Sequence, residues 1–289
     1  GGAGGAGGAD GALRAEVFGL RAKARSHGLI DFAQGIVLAR YRLARPTAAL
    51  VLLKQVSQER NVPLRVLASA VVAAPAPPRA SGAWFPGRRR TPPPEPAFLS
   101  AHDAASGGRA RVLQAAVDAA VAHARSDAAA LHLADPAQGG ALVLEAHRGL
   151  GTAYRDAYAH IAAAGTATGT AGTAGTEVTA PAVARAQATG LLVAGTETVP
   201  AFAGRPSEDD RFGAVPNAVH AVPLVLPGGR CTGTLSVQHT RADMELAPQG
   251  EAALRSLASD VAAWHSWYQR TVLLDALELL HARAADHRV

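Results

Sequence analysis

Between Ala73 and about Ser106 the chain reads APAPP, then WFPGRRRTPPPEP, then SGG, and no regular helix or strand can run through such a stretch. Proline fixes φ, lacks an amide hydrogen and clashes with the preceding turn, while glycine removes the side chains that a core needs. Residues 75–107 are therefore expected to form a partly extended linker. A chain of 289 residues divided at that point has room for a small module before the break and a larger domain after it. Within the linker, Trp84, Phe85, Arg88, Arg89 and Arg90 have two readings. They can touch nucleic acid by stacking and charge, or they can form a hydrophobic latch on a neighbouring domain followed by a solvated basic turn.

Charge divides unevenly across the break. Residues 1–74 carry 10 Lys/Arg against 4 Asp/Glu, whereas residues 108–289 carry 14 against 17, so the basic character belongs to the N-terminal quarter and points to a polyanionic partner there. With 26 Arg, two Lys and abundant Ala, the composition reads as that of a GC-rich genome, so no single arginine argues for guanidinium chemistry. Cys231 is the only cysteine, which excludes an intrachain disulfide and a multi-cysteine metal site and fits a reducing compartment. No apolar run reaches the roughly 18 residues of a membrane span, and the chain opens on a glycine repeat rather than a charged region followed by an apolar one. The expectation is a cytoplasmic protein with no membrane association.

Residues 1–10 are expected to be a disordered Gly-rich arm. Over 11–74, Leu13, Val17 and Leu20, then Leu29, Ile30, Ala33, Ile36, Val37 and Tyr41 recur at helical spacing. Pro46-Thr47 marks a second helix with Leu50, Leu53 and Val56 on its stripe. Asn61, read as an N-cap, and Pro63 announce a third, with Leu64, Leu67, Ala68 and Val71 on one face. Over 108–268 the order is a helix at 108–124, strands at Ala128–Ala134 and Ala141–His147, a helix around Thr152–Ala163, the low-complexity run TATGTAGTAGT, and a helix at Pro181–Thr189 closed by Gly190. A strand at Leu191–Ala194 follows, then an irregular stretch with Glu208, Asp209 and Asp210, strands at Ala218–Leu226 and Cys231–His239 around a Pro227-Gly228-Gly229 turn, and helix from Pro248 to about Ala285. That order describes an α+β domain on an antiparallel sheet. The C-terminal helix, 269–289, extends beyond what such a domain needs. Leu273–Leu280 is expected to pair either with a second subunit or with the N-terminal helix at Leu13–Leu20.

The stretches LRAKARSHGLIDFAQGIVLARY and TAALVLLKQVSQERNVPLRVLASAVV resemble the ANTAR domain, a three-helix RNA-binding module of bacterial antiterminators, over about residues 13–74. The resemblance implies binding to RNA hairpins of a nascent transcript and implicates Lys23, Arg25, Ser26, His27, Gln34, Gly35, Lys54, Ser57, Asn61 and Arg65 in that contact. Positive charge, amide and hydroxyl groups, and small residues that permit close approach are what an RNA loop requires of its reader. Gly35 inside a helix costs about 1 kcal/mol relative to Ala and invites either a partner's backbone or close helix packing as its reason. Two positions depart from the family pattern. His27 stands where many members carry arginine and Gln34 where they carry a basic residue, so some electrostatic contact is missing, and His27 charges only below about pH 6.5.

ADPAQGGALVLEAHRGL and HAVPLVLPGGRCTGTLSVQH, with their flanking helices, resemble GAF sensor domains over about 108–268. That implies a small-molecule ligand of unknown identity or a dimerising scaffold. No cofactor, metal or catalytic residue is expected. His132, His147, His160, His220 and His239 show no i, i+4 pair and no HExxH pattern, so they read as surface or half-buried strand residues. Cys231 reads as an inert core residue. No nucleophile elbow, P-loop or strand-linked G-x-G-x-x-G is present. The expected protein is a non-enzymatic antitermination regulator under control of a sensory domain. The alternative is a signalling scaffold that binds a small molecule or protein and has no RNA function.

Overall fold

The computed structural model of the protein describes residues 27–78, 82–100, 108–151, 155, 158–162, 181–195, 218–241 and 243–286. The expectations for the glycine arm, the helix at Leu13–Leu20, the run at 166–176 and the acidic centre at Glu208-Asp209-Asp210 lie outside these residues. The chain forms two compact units. One contains Lys23–Pro94, Asp135–Gly139 and Trp264–Val289, and the other Gly1–Ala22, Glu95–Ala134 and Gly140–Ala263.

The first unit is helical. Helix α1 covers 27–41, α2 Pro46–Glu59 and α3 Leu64–Ala73. Their buried faces follow the apolar spacing: Leu29, Ala33, Val37 and Tyr41 on α1, Ala49, Leu52, Leu53 and Val56 on α2, Leu67, Ala68 and Val71 on α3. The α2–α3 turn differs from the expected cap. Asn61 adopts φ of 48°, and Pro63 occupies the N-cap position of α3 without a side-chain hydrogen bond. A short polar side chain tolerates the left-handed region, so Asn61 serves the reversal of the chain rather than the helix end.

The proline-rich stretch is not a free tether. Trp84 is 2 % exposed. Its Nε1 donates to the Pro75 carbonyl at 2.8 Å, and Arg40 lies 4.9 Å from its ring centre. The amides of Trp84 and Phe85 both donate to the Glu278 carboxylate, at 2.8 and 2.6 Å. The latch reading therefore holds for Trp84, and the basic turn after it is only partly solvated. Arg88 pairs with Asp275 and donates to the carbonyls of Arg270 and Thr271, while Arg90 reaches Asp275 at 3.0 Å. Burial raises the Asp275 carboxyl, and the two guanidiniums more than offset it, leaving the group below its ordinary value.

Those two carbonyls belong to a π-helical turn, Gln269–Leu273, that joins α6 (Pro248–Tyr268) to α7 (Leu274–Asp286). A π-turn leaves backbone acceptors displaced from the regular ladder, and Arg88 supplies donors to them. Helix α7 packs on α2 and α3. It buries Ala276, Leu277, Leu280 and Ala284, with a hydrogen bond between Tyr41 Oη and His281 Nδ1 at 2.8 Å. The C-terminal helix thus docks within the chain on α2 and α3, while the expected partner at Leu13–Leu20 lies outside the described residues.

The second unit is the α+β domain. Its antiparallel sheet has the order β3-β2-β1-β6-β5-β4. The strands are β1 (Ala128–Asp135), β2 (Ala141–Arg148), β3 (His160–Ile161), β4 (Val193–Gly195), β5 (Ala218–Val225) and β6 (Cys231–His239). Strand β3 replaces the later part of the helix expected around Thr152–Ala163, because His160 and Ile161 pair with Val143 and Leu142. Gly229, φ 78°, closes the β5–β6 hairpin. At Gly233 a Cβ would run into the backbone of His132 and Leu133, which is why the central pair β1–β6 carries a glycine there. Helix α5 (Ala182–Thr189) covers one face of the sheet through Ala182, Val183 and Ala186 against Ala128, Ala130, Leu142, Val219 and Ala221. Helix α4 (Arg109–Ala124) packs on β2 and β6 at the opposite face, where Arg109 pairs with Glu145 at 2.9 Å.

The strand histidines are more buried than expected: His132 is 0 %, His239 3 % and His220 6 % exposed. His132 Nε2 donates to the Tyr158 carbonyl at 3.0 Å. Its Nδ1 has no partner among the described residues. Burial drives its pKa from 6.5 down to about 4. Burial also lowers His147, helped by Arg155, and His239, helped by His220.

Two outcomes are expected. Trp84→Ala removes a buried ring and destabilises the helical unit by about 3 to 5 kcal/mol, read by denaturant unfolding. The unfolded chain binds a proton on residue 132 between pH 6.5 and about 4 that the folded chain refuses. The stability contribution of neutral His132 is thus complete above that window and is lost as pH falls through it. Unfolding midpoints at several pH values should drop across the window, and His132→Phe should flatten part of the drop.

Candidate nucleic-acid interface

Of the ten candidate RNA contacts, Lys23, Arg25 and Ser26 lie outside the described residues. His27 and Gly35 are exposed on α1 and Lys54 is exposed on α2. Ser57 is half-buried at the last turn of α2, and its hydroxyl donates to the Val62 carbonyl at 2.7 Å, closing the α2–α3 turn. Asn61 is exposed in that turn. Gln34 is half-buried, and its Nε2 donates to the Pro46 carbonyl at 2.9 Å, fastening α1 to the first residue of α2.

These anchors fix where the candidates sit. Gln34 marks the N-terminal end of α2 and Ser57 and Asn61 its C-terminal end, about 20 Å apart at 1.5 Å per residue. The candidates therefore spread along α2 instead of forming a single cluster. Lys54 rides the stripe of α2 farthest from its core, with Thr47, Val51 and Gln58, all exposed. Arg42, Arg45 and Arg60 are exposed on the same unit, and the Glu59 carboxylate is engaged by Arg283. A positive surface follows from unpaired excess rather than from any one side chain.

Arg65 stands differently. Its side chain is 25 % exposed and its Nη1 lies 3.9 Å from Asp135 Oδ2. Asp135 is buried, and its carboxylate also accepts from the Ser69 hydroxyl, from the Ala137 amide at 3.0 Å and from Gln138 Nε2 at 2.7 Å. Four donors satisfy one carboxylate, so part of the Arg65 charge is spent locally.

Gly35 has open space around the position of a Cβ, as does Gly28. Among the described residues no helix packs closely on Gly35. Two features escaped the sequence reading. Asp135 ends a strand that is apolar but for His132, and only three-dimensional neighbours reveal its partners. Phe32 is 61 % exposed. Its signal was available, since it falls about 120° from the direction of the Leu29–Ala33–Val37–Tyr41 stripe at 100° per residue.

Among the described residues no three His, Cys, Asp or Glu side chains are grouped to hold a metal ion. None of the described helices is long and apolar enough to cross a membrane. Cys231 is half-buried, with Sγ 3.1 Å from the Gly233 carbonyl, and burial pushes its thiol up.

Residues 19–72 match the ANTAR domain family. The α+β unit has the architecture of an antiparallel sheet between helices that the GAF-like reading requires. Among solved structures, the chain is similar to the GAF domain of a phosphoenolpyruvate-protein phosphotransferase from Coxiella burnetii. That likeness has 15 % identity and a TM-score of 0.39, and covers 76 % of this chain and 94 % of that one. It is also similar to the GAF domain of the Acinetobacter phosphoenolpyruvate-protein phosphotransferase, at 16 % identity and a TM-score of 0.38, over 76 % of this chain and 93 % of that one. Comparison with the curated proteins finds no match. Residues 19–72, which lie in large part in the helical unit, thus match the ANTAR domain, and the second unit builds an α+β domain on an antiparallel sheet.

Because nothing packs against Gly35, Gly35→Ala should stabilise the helical unit by up to about 1 kcal/mol. A raised thermal midpoint checks this, and a lowered one would show that the glycine is needed for the fold.

Proposed function

We propose that this protein is a cytoplasmic, non-enzymatic antitermination regulator whose ANTAR domain holds an RNA hairpin in a nascent transcript while its GAF-like domain governs when it does so. The observation that carries the reading is the exposed basic surface of the matched helices, with Lys54 and Arg60 toward the solvent and Gly35 left bare. Phosphates meet the cations, and the bare helix backbone at Gly35 admits close approach of a sugar-phosphate chain. Gln34, Ser57 and Asn61 serve in the same contact through groups beyond those that hold the fold: a free amide on Asn61, a hydroxyl oxygen on Ser57, an amide oxygen on Gln34. Arg65 contributes at reduced strength because Asp135 competes for its guanidinium. A small molecule bound by the GAF-like domain acts by favouring one arrangement of the protein over another, and only to the extent that it binds that arrangement more tightly.

The test is binding of the whole chain to a tandem RNA hairpin with six-nucleotide loops, against scrambled-loop RNA and duplex DNA, at two salt concentrations. Loop-selective binding that persists at the higher salt is expected. Lys54→Glu should weaken it severalfold without moving the thermal midpoint. Equal binding to all three polyanions that vanishes with salt would reduce the basic surface to nonspecific attraction and overturn the RNA reading.

A further inference from the structure

Phe32 is the exposed aromatic on the outer face of α1. At 61 % exposure it leaves most of an apolar ring in water, which a folded chain gains nothing by doing. Its surroundings are unusual in the same direction. At helical spacing Phe32 shares a stripe with Gly28 four residues before it, Gly35 three after it and Ala39 seven after it, all exposed. Beyond the helix's own backbone and the adjoining residues, no atom of the described residues lies within 4 Å of a Cβ placed at either glycine. The ring therefore stands on a strip of nearly bare helix backbone, with most of its surface accessible to an incoming planar group. Immediately past the helix the chain turns through Arg42 and Arg45, both exposed cations.

We propose that Phe32 is a specificity-determining contact of the RNA-binding surface: it stacks on an unpaired base of the hairpin loop, while the flat strip at Gly28 and Gly35 admits the loop's sugar-phosphate chain. The proposal rests on the RNA reading and adds to it a base contact that charge alone cannot supply. Aromatic side chains receive splayed loop bases because every base has a π-face, and such a contact tolerates salt better than a phosphate contact does. The excess of cations on this unit favours RNA over a neutral protein surface as the occupant. Asp31, exposed beside Phe32, accepts hydrogen bonds and donates none, so it suits an exocyclic amino group or a ribose hydroxyl and repels a phosphate.

The experiment measures affinity of the full chain for the six-nucleotide-loop hairpin with Phe32→Ala, Phe32→Leu and Phe32→Trp, and with loops made abasic one position at a time. Phe32→Ala and Phe32→Leu should weaken binding by about five- to a hundredfold, the range of one base stack, and Phe32→Trp should hold wild-type affinity. Loss of one base should weaken the wild-type chain and leave Phe32→Ala unaffected, the signature of a coupled pair. Leu191→Ala, which removes another exposed apolar side chain in the other unit, should bind as wild type. Loop-selective binding by the wild-type chain that Phe32→Ala leaves unchanged would overturn the stacking contact and spare the RNA reading. Absence of loop selectivity in the wild-type chain would overturn both. A dimer in light scattering that Phe32→Ala dissociates would assign this face to a second copy and overturn the proposal.

Discussion

Everything in the helical unit depends on the burial of α7 against α2 and α3. Helices of ten to fifteen residues are marginal alone, and three of them enclose little apolar volume. Leu277 and Leu280, both nearly inaccessible, complete a core that Tyr41, Leu53 and Leu67 begin. The strap at 84–90 then holds α7 by its polar side: Glu278 takes two backbone amides, Asp275 takes two guanidiniums, and Arg88 reaches the carbonyls that the π-turn displaces. Apolar burial supplies the drive and these directional contacts set the register.

The α+β unit solves a different problem. Its central strands carry polar side chains on a face that α5 covers, with His132, Thr234, Ser236 and Gln238 all fully buried. Ser236 and Gln238 bond to each other at 2.9 Å, and His132 finds the Tyr158 carbonyl. Keeping His132 neutral is the condition of that arrangement, and the condition is set by burial rather than by a charged neighbour.

Helical periodicity made α2, α3 and α4 legible in the sequence within a residue or two, and β1, β2, β5 and β6 were legible as short runs bounded by turn residues, the central ones buried on both faces. The short strands β3 and β4 were harder. Two or three residues carry no period, and β3 exists only because Val143 and Leu142 stand ready to pair. An asparagine two residues before a proline suits a cap and a left-handed turn equally well, and only the backbone angle assigns Asn61 to the turn. The strap was half legible: tryptophan and phenylalanine in a proline-rich run announce burial, but their receivers, Glu278 and Asp275, lie almost two hundred residues away. Charge composition placed the excess of cations in the N-terminal quarter, yet could not show that Arg65 shares its guanidinium with Asp135.

The helical unit draws on sequence from both sides of the α+β domain, and this imposes an order on its birth. Residues 27–73 emerge from the ribosome first, and the side chains that finish their core, Leu277 and Leu280, follow only after the intervening α+β domain has been synthesised. Until then the strap has no Glu278 to grip and Trp84 no place to bury. Helices α1 to α3 therefore complete their core only once residues 274–286 have been added, so a chain terminated before them presents an unfinished helical unit.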